Sequence, residues 1–423
     1  MTHFRKILLL LFSLVSALPA AAVQPAAPVA AQTSPAFDVE AATQRYLDTL
    51  TPAQKAKSDA YFEGGYWLEL WQLLYGLAVA AVFLWLGLGR WLTGVAARLP
   101  RPWLQRWAYL AGYLLLAWVL SFPLSVYVGW AREQQYGMSN ETFGAWLADA
   151  LKGLGLSVVF GSLVLLGIYA AVRRTGRRGW AWATGIVAVA LVLSVFVSPV
   201  FVAPLFNKYT PLPAGPVREG ILRMARANGV PADNVYLVDA SKQSKRISAN
   251  VSGLGRTIRV SLNDNLLNRC TPAEVKAVMG HELGHYVLNH IPKSLVFMVL
   301  IVGLCLWATD GVFHRLLGRY GARWGIVSLG DVASLPLVMA LLTVCSFLTT
   351  PLVNTIVRTQ EQEADMFGLN TAREPDAFAK VAMKLSEYRK INPSPMEEMI
   401  FFNHPSGHTR VHTAMQWKAE QPQ

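Results

Sequence analysis

The sequence predicts an α-helical multi-pass membrane protein that carries one polar domain of helices and a small antiparallel β-sheet. Three observations predict it: a composition short of charge, six long apolar segments, and arginines gathered into three short loops. Hydrophobic residues make up 53% of the 423 and charged residues 15%, and mean hydropathy is +0.33. Soluble chains carry about 25% charged residues. The deficit, with 14 Trp and 18 Phe, puts much of the surface against lipid. The same numbers exclude intrinsic disorder. Cys270, Cys305 and Cys345 form no C-x-x-C pair, so neither a disulfide framework nor a thiolate metal site is supported. They read as small buried hydrophobes.

At the N-terminus, Arg5 and Lys6 precede an apolar run from Ile7 to Pro19 and the small residues Ala20, Ala21 and Ala22. That layout suits a cleaved secretory signal, and a run of this length suits an uncleaved first membrane helix equally. The Ala/Pro/Gln tract 20–36 reads as a disordered linker, and 23–65 as a whole as linker and juxtamembrane segment. Apolar segments then recur at about 66–89, 107–129, 154–172, 180–204, 294–312 and 332–354. Each reaches or approaches the ~20 residues of a helix that crosses a bilayer. Trp67, Trp71, Trp130, Trp180 and Trp182 crowd their ends, as interfacial belts do. The first four make an N-terminal membrane region, 66–204, and the last two a membrane pair, 294–355.

A net charge of +12 suggests a nucleic-acid partner until its placement is read. Arg90, Arg98, Arg101 and Arg106 fall in one loop, Arg173, Arg174, Arg177 and Arg178 in a second, and Arg315, Arg319 and Arg323 in a third. Strict alternation of spans puts these loops on one face, which the positive-inside rule makes cytoplasmic. No basic-aromatic patch of the nucleic-acid kind occurs, so no nucleic-acid partner is expected. The polar stretch 205–293 then falls on the opposite face.

That stretch opens with a proline turn region (Pro211, Pro213, Pro216) and an amphipathic helix near 216–228. Short strands follow at about 235–238, 246–251 and 257–262. Thr271-Pro272-Ala273-Glu274 is a T-x-x-E capping box with proline at the first helical position. The helix it starts contains His281-Glu282-Leu283-Gly284-His285. Residues four apart share a helix face, so both imidazoles can converge on one metal ion, with Glu282 beside an open coordination position. Neutral imidazole suits zinc, and a carboxylate beside zinc-bound water is the usual general base. A chance H-E-x-x-H on an ordinary amphipathic helix is the bland alternative. It is disfavoured by a pool of only eight histidines and by the capped helix.

A catalytic zinc needs a third protein ligand. Glu361 and Asp365 lie four apart in Arg358-Thr-Gln-Glu361-Gln-Glu363-Ala364-Asp365, so one can bind metal while the other orients a ligand imidazole. Glu363 points elsewhere and reads as solvated. The competitors are His404, His408 and His412, of which the last two have helical spacing. Spacing alone favours Glu361.

The chain resembles the type I CAAX prenyl endopeptidases, integral-membrane zinc proteases of the gluzincin class, from about residue 60 to the C-terminus. The resemblance rests on Val202–Pro213, on Gln135–Gly144, on His281-Glu-Leu-Gly-His285, on Arg358-x-x-Glu361-x-x-Ala364-Asp365, and on His404-Pro405 followed by Arg410. It implies a gluzincin-type zinc protease domain formed by 205–293 and 356–423. It further implies that Glu361 is the third zinc ligand, that Asp365 supports a ligand histidine, and that His404 and Arg410 face the cleft. It suggests a large intramembrane chamber. The family's Asn-Ala-aromatic element before the Gly253 turn is altered: Ser248 holds the asparagine position and Asn250 the aromatic one. Asn250 is therefore a substrate contact only if the register shifts. Eukaryotic members present zinc on the cytosolic side, opposite to what the arginine loops predict here.

The implied activity is metal-assisted peptide hydrolysis with one zinc per chain. Glu282 serves as general base, His404 is the first candidate for an oxyanion donor, and Arg410 is a weaker one that could equally be an ion-pair partner. Substrates would be peptides or proteins in or at the bilayer, membrane-associated or lipidated. The location would be the cell membrane, the inner membrane of a bacterium. A membrane quality-control protease without CAAX specificity is a rival reading, and a bacterial signal favours it. A zinc-stabilised transporter or binding protein is another, for which Asp310 would be a membrane-boundary charge.

Overall fold

The structure, a computed structural model, describes residues 37–253 and 258–421. The signal or first helix, and most of the Ala/Pro/Gln tract, lie outside them. Among the described residues, five apolar helical stretches are long enough to cross a bilayer, and the longest, Phe143–Leu205, doubles back on itself. Helices α1 Val39–Leu47, α2 Pro52–Trp85, α3 Leu88–Ala96 and α4 Pro102–Val126 come first. The double stretch supplies α5 Phe143–Leu156, α6 Ser162–Thr175 and α7 Gly179–Val197. Its reversal sits at Gly176, whose φ of +53° suits glycine. At Gly179 the returning helix lies so close that an added Cβ would stand 3.2 Å from Val172. The six predicted apolar segments fall in the five helical stretches, except that the first runs past the end of α2 at Trp85 into α3.

A reciprocal Thr51–Gln54 capping box with Pro52 behind it starts α2. Its 34 residues span about 51 Å at 1.5 Å each, well beyond a hydrocarbon core of about 30 Å. The N-terminal part therefore stands clear of lipid and binds the polar domain. Ser58 Oγ donates to the carbonyls of Ser386 (2.6 Å) and Arg389 (2.9 Å), and Tyr66 Oη donates to Glu397 (2.7 Å). The far end meets the arginine loops. Arg90 packs on Gly325, Arg173 Nη1 donates to Gly330 O at 3.3 Å, and the Arg323 guanidinium covers Trp85 at 4.3 Å. The three basic loops share one end of the bundle, and the polar domain occupies the other.

The polar domain places a sheet behind its helices: β1 Tyr209–Pro211, α8 Pro216–Ala227, β2 Val235–Val238, β3 Ala249–Ser252, β4 Arg259–Asn263, α9 Asp264–Arg269 and α10 Pro272–Val287. The expected antiparallel sheet is corrected: it is mixed, in the order β1-β2-β4-β3, with β2 and β4 parallel. The segment between β2 and β3 carries the chain past the position that β4 fills instead of turning tightly. It is held outside the sheet by Asn140, whose side chain donates to Ser241 O (2.8 Å) and whose N–H donates to Gln243 O (3.0 Å). β3 then folds back on β4 as an antiparallel hairpin and takes the sheet edge. β1 arises inside the stretch expected to be only proline turns. Val275, Met279 and Leu283 of α10 pack on Val235, Val260 and Leu262 of the sheet.

Two long helices complete the chain, α11 His290–Trp324 and α12 Leu335–Ala372, followed by α13 Pro375–Leu385, α14 Pro395–Phe401 and α15 Gly407–Glu420. The expected boundary near 355 falls inside α12, which runs unbroken from the membrane into the polar domain. The expected linker 23–65 also differs. Ala42 and Leu47 of α1 are buried with Phe378 of α13 and Val411 and Met415 of α15, so the described residues of this stretch from 37 to 50 pack into a second core of the domain. Among the membrane helices lies an apolar cavity of about 750 Å³, with Thr309 and Asp310 on its wall.

Candidate metal centre and active site

The capping box predicted at Thr271 forms, with Thr271 N–H donating to Glu274 (2.6 Å) and Glu274 N–H donating to Thr271 Oγ1 (3.4 Å). Glu274 also binds Lys384 at 2.7 Å. Burial favours its neutral form, but the Lys384 and Thr271 hydrogen bonds outweigh it and hold the carboxyl below its usual range. The start of α10 is thereby tied to α13. Three glycines then bring α10 against α12. A Cβ on Gly280 would meet Gly368 O at 3.1 Å, one on Gly284 would meet Phe367 at 3.1 Å, and one on Gly368 would stand 2.8 Å from His281 N. The helix backbones touch, and Glu361 comes beside both histidines.

His281, His285 and Glu361 form a cluster of potential metal donors. The two Nε2 atoms lie 3.1 Å apart; Glu361 Oε2 is 3.3 Å from His281 Nε2, and Oε1 is 3.5 Å from His285 Nε2. Donors at 2.0–2.1 Å from a tetrahedral ion stand about 3.3 Å from one another, close to the spacing of the two imidazoles and of each imidazole from one oxygen of the Glu361 carboxylate. The electrostatics agree. Burial lowers the His281 pKa, but the Asp365 and Glu361 carboxylates against the ring overcome this and raise it to about 10. The pocket is built to hold a positive charge. His285 is driven down to about 4 by burial and then by the His281 charge, which leaves it the neutral imidazole a metal requires.

Each imidazole is backed from behind. His281 Nδ1 lies 2.7 Å from Asp365 Oδ1, a charge contact off the axis of a hydrogen bond. Asp365 is gripped in turn by Arg410, with Nε to Oδ2 at 2.9 Å and Nη2 to Oδ1 at 2.5 Å. Arg410 lines the cleft, yet its fork is filled by this carboxylate. His285 Nδ1 lies 2.9 Å from His290 Nδ1, and His290 Nε2 lies 2.9 Å from Glu363 Oε2. Sequence reasoning missed His290 and left Glu363 in solvent. The signal that could have found them is Asn289, which takes a left-handed conformation (φ 58°) and folds His290 back under His285.

The cleft is a cavity of about 240 Å³ lined by Glu282, His404, Tyr388 and Arg389 beside the donor cluster. Burial pushes the Glu282 carboxyl up to about 7, the range of a group that both takes and gives a proton. His404 Nε2 lies 3.3 Å from Glu361. Burial, then the Arg389 charge, drives His404 down to about 3, so it is neutral. Ser248 and Ala249 line the cleft, whereas Asn250 is exposed outside it and pairs with Ser261 on β4. Asn263 N–H donates to Ser248 O at 3.0 Å. Antiparallel alternation then turns the backbone groups of Ala249 and Val251 toward the free edge of β3. His408 and His412 stack on each other at 6.2 Å, with His412 reaching Glu40, away from the cluster.

A donor triad held where a membrane-crossing helix meets a helix–sheet domain defines a class of protein, the integral-membrane metallopeptidases. The comparisons agree. Residues 211–418 match the model of peptidase family M48, and residues 39–208 match that of the CAAX prenyl protease N-terminal region, five membrane helices. The chain belongs to the CAAX prenyl protease family of M48 peptidases. It is 27% identical to an uncharacterized metalloprotease of Bacillus subtilis, over 76% of this chain and 75% of the relative. It is 26% identical to CAAX prenyl protease 1 of Saccharomyces cerevisiae, over 72% and 70%. The fold resembles the crystal structure of S. mikatae Ste24p, with TM-score 0.74 and 23% identity over 89% of this chain and 94% of that one. The chain is a multi-pass membrane metalloprotease.

Proposed function

We propose that the chain is a zinc endopeptidase that cleaves membrane-associated or lipidated proteins from within the bilayer region, with its active site on the face opposite the arginine loops. The observation that carries the zinc reading is the spacing of His281, His285 and Glu361, 3.1–3.5 Å between donor atoms. When bound there, zinc supplies Lewis acidity to the scissile carbonyl and to the attacking water.

The chain's own groups do the rest. Glu282 takes the proton of the attacking water and passes it to the leaving amine. His404, as the neutral imidazole, donates to the carbonyl oxygen as it gains charge. Asp365 orients His281, and Arg410 acts through Asp365 instead of touching substrate. The free edge of β3 at Ala249 pairs with an extended peptide, so Asn250 is left without a substrate role. The relatives named CAAX prenyl protease 1 support a lipidated CAAX motif as one substrate class.

Glu282→Gln should retain the metal and lose cleavage of a membrane-protein substrate by about 10²–10⁴-fold, the contribution of acid–base catalysis. Full cleavage by that variant sinks the mechanism. The arginine end is proposed to be cytoplasmic in a bacterial inner membrane. A cysteine introduced near residue 215 should be labelled by impermeant reagent from outside; labelling solely from the cytoplasm reverses the orientation.

A further inference from the structure

We propose that Arg389 is the receptor for a carboxylate of the peptide substrate, a subsite of the cleft that rests on the peptidase reading above. Two guanidinium groups line the cavity beside Glu282, those of Arg389 and Arg410. Arg410 is spent on Asp365. Other cations around the domain are also matched. Lys390 lies between Glu63 (2.6 Å) and Glu397 (2.8 Å), Arg246 holds Glu133 at 2.7 Å, and Arg358 donates to the carbonyls of Glu398 and Phe402.

Arg389 has neither a carboxylate nor a hydrogen-bond acceptor for its side chain among the described residues. Residues 1–36, 254–257 and 422–423 contain no Asp or Glu that could serve. The position is not a loose surface one. The Arg389 carbonyl is fixed by Ser58 Oγ of α2 at 2.9 Å, and its side chain is half-buried. A guanidinium cannot shed its proton, so a half-buried one without a counter-ion stands ready for an anion. Its fork matches a planar carboxylate. A peptide brings two such groups, its C-terminal carboxylate and the side chains of Asp and Glu. The oxygen that gains charge during hydrolysis is the competing anion, and His404 already faces that role.

The test uses the full-length enzyme with twin peptides of one sequence, ending in a free carboxylate or an amide. A second set of amide peptides exchanges Asp or Glu for Asn or Gln. Dissociation constants are measured in the Glu282→Gln background, and kcat and KM in the native enzyme. The carboxylate twin should bind about 10–100-fold tighter than its neutral partner, as for a charge-assisted hydrogen bond. Arg389→Gln should erase that ratio, with the change in KM. Arg389→Lys, which keeps the charge without the fork, should restore part of it, and it replaces the glutamine variant if that one misfolds. The peptide set that shows the ratio identifies the source of the carboxylate.

Equal binding of all twins, or a ratio that survives Arg389→Gln, overturns the subsite. So does an equal fall in kcat for every twin at unchanged KM, which marks an oxyanion donor. Those results leave the peptidase reading standing, because only cleavage by Glu282→Gln speaks against it.

Discussion

His281 and His285 stand one turn apart on α10 with their Nε2 atoms 3.1 Å from each other, and they are held from behind in opposite ways. The support of His281 runs inward. Asp365 is 3% exposed, Arg410 is 8% exposed, and the chain of contacts ends in a buried ion pair between α12 and α15. The support of His285 runs outward, through buried His290 to Glu363, whose side chain is 47% exposed and has Lys293 at 3.6 Å. Breaking a buried ion pair strands a charge, whereas an exposed carboxylate is readily replaced by water. One ligand is locked by the core and the other is trimmed from the surface.

The largest effect should follow Asp365→Asn. It leaves the Arg410 charge buried without its partner, at a cost of about 3–5 kcal/mol, and removes the carboxylate behind His281. The expected outcome is a lower unfolding midpoint, metal affinity reduced about 10–100-fold in chelator competition, and cleavage near background. If both stability and metal retention are kept, the contrast between the two supports disappears.

Gly368→Ala should come next, and it tests the locked side alone. The added Cβ would stand 2.8 Å from His281 N, so α12 must shift away from α10 and take Glu361 with it. A displacement of about 1 Å at a reacting centre costs on the order of 100-fold in rate, and overpacking costs about 1–3 kcal/mol. Cleavage should therefore fall further than stability. Unaltered turnover would mean that the close approach of the helices is not what positions Glu361.

How much of this was legible in the sequence divides along the same line. Local signals read well: the Thr271 capping box, the H-E-x-x-H face, and the apolar lengths of the spans. Pairings made at long range did not. The connection that makes β2 and β4 parallel is hydrogen-bonded at residues 241 and 243 to Asn140, far away in the sequence, and nothing within the strands encodes that. Hydropathy ended the last span near 354, but helix propensity does not stop where lipid does, so α12 continues to Glu361 and beyond. The fork of Arg410 on Asp365 gave the arginine a partner that motif spacing could not show. His290 was hidden because five residues do not share a helix face; only the left-handed turn at Asn289 brings it under His285.

The smallest effects belong to the outward support, and they define how far the contrast extends. With His285 Nε2 turned to the donor cluster, its proton sits on Nδ1 and points at His290 Nδ1. His290 then carries its own proton on Nε2, toward Glu363 Oε2. His290→Ala removes the acceptor and should weaken metal binding about 10-fold, the lower end for groups that orient a ligand. His290→Gln returns an acceptor oxygen and should recover part of that loss. Glu363→Gln keeps an oxygen able to accept from His290 and removes only a half-exposed charge, so a change of about 2–3-fold is expected, shrinking further in high salt. Chelator competition on the purified full-length protein measures all three without depending on turnover. Should His290→Ala cost as much as Asp365→Asn, the two imidazoles are held equally and the inward and outward supports are one device.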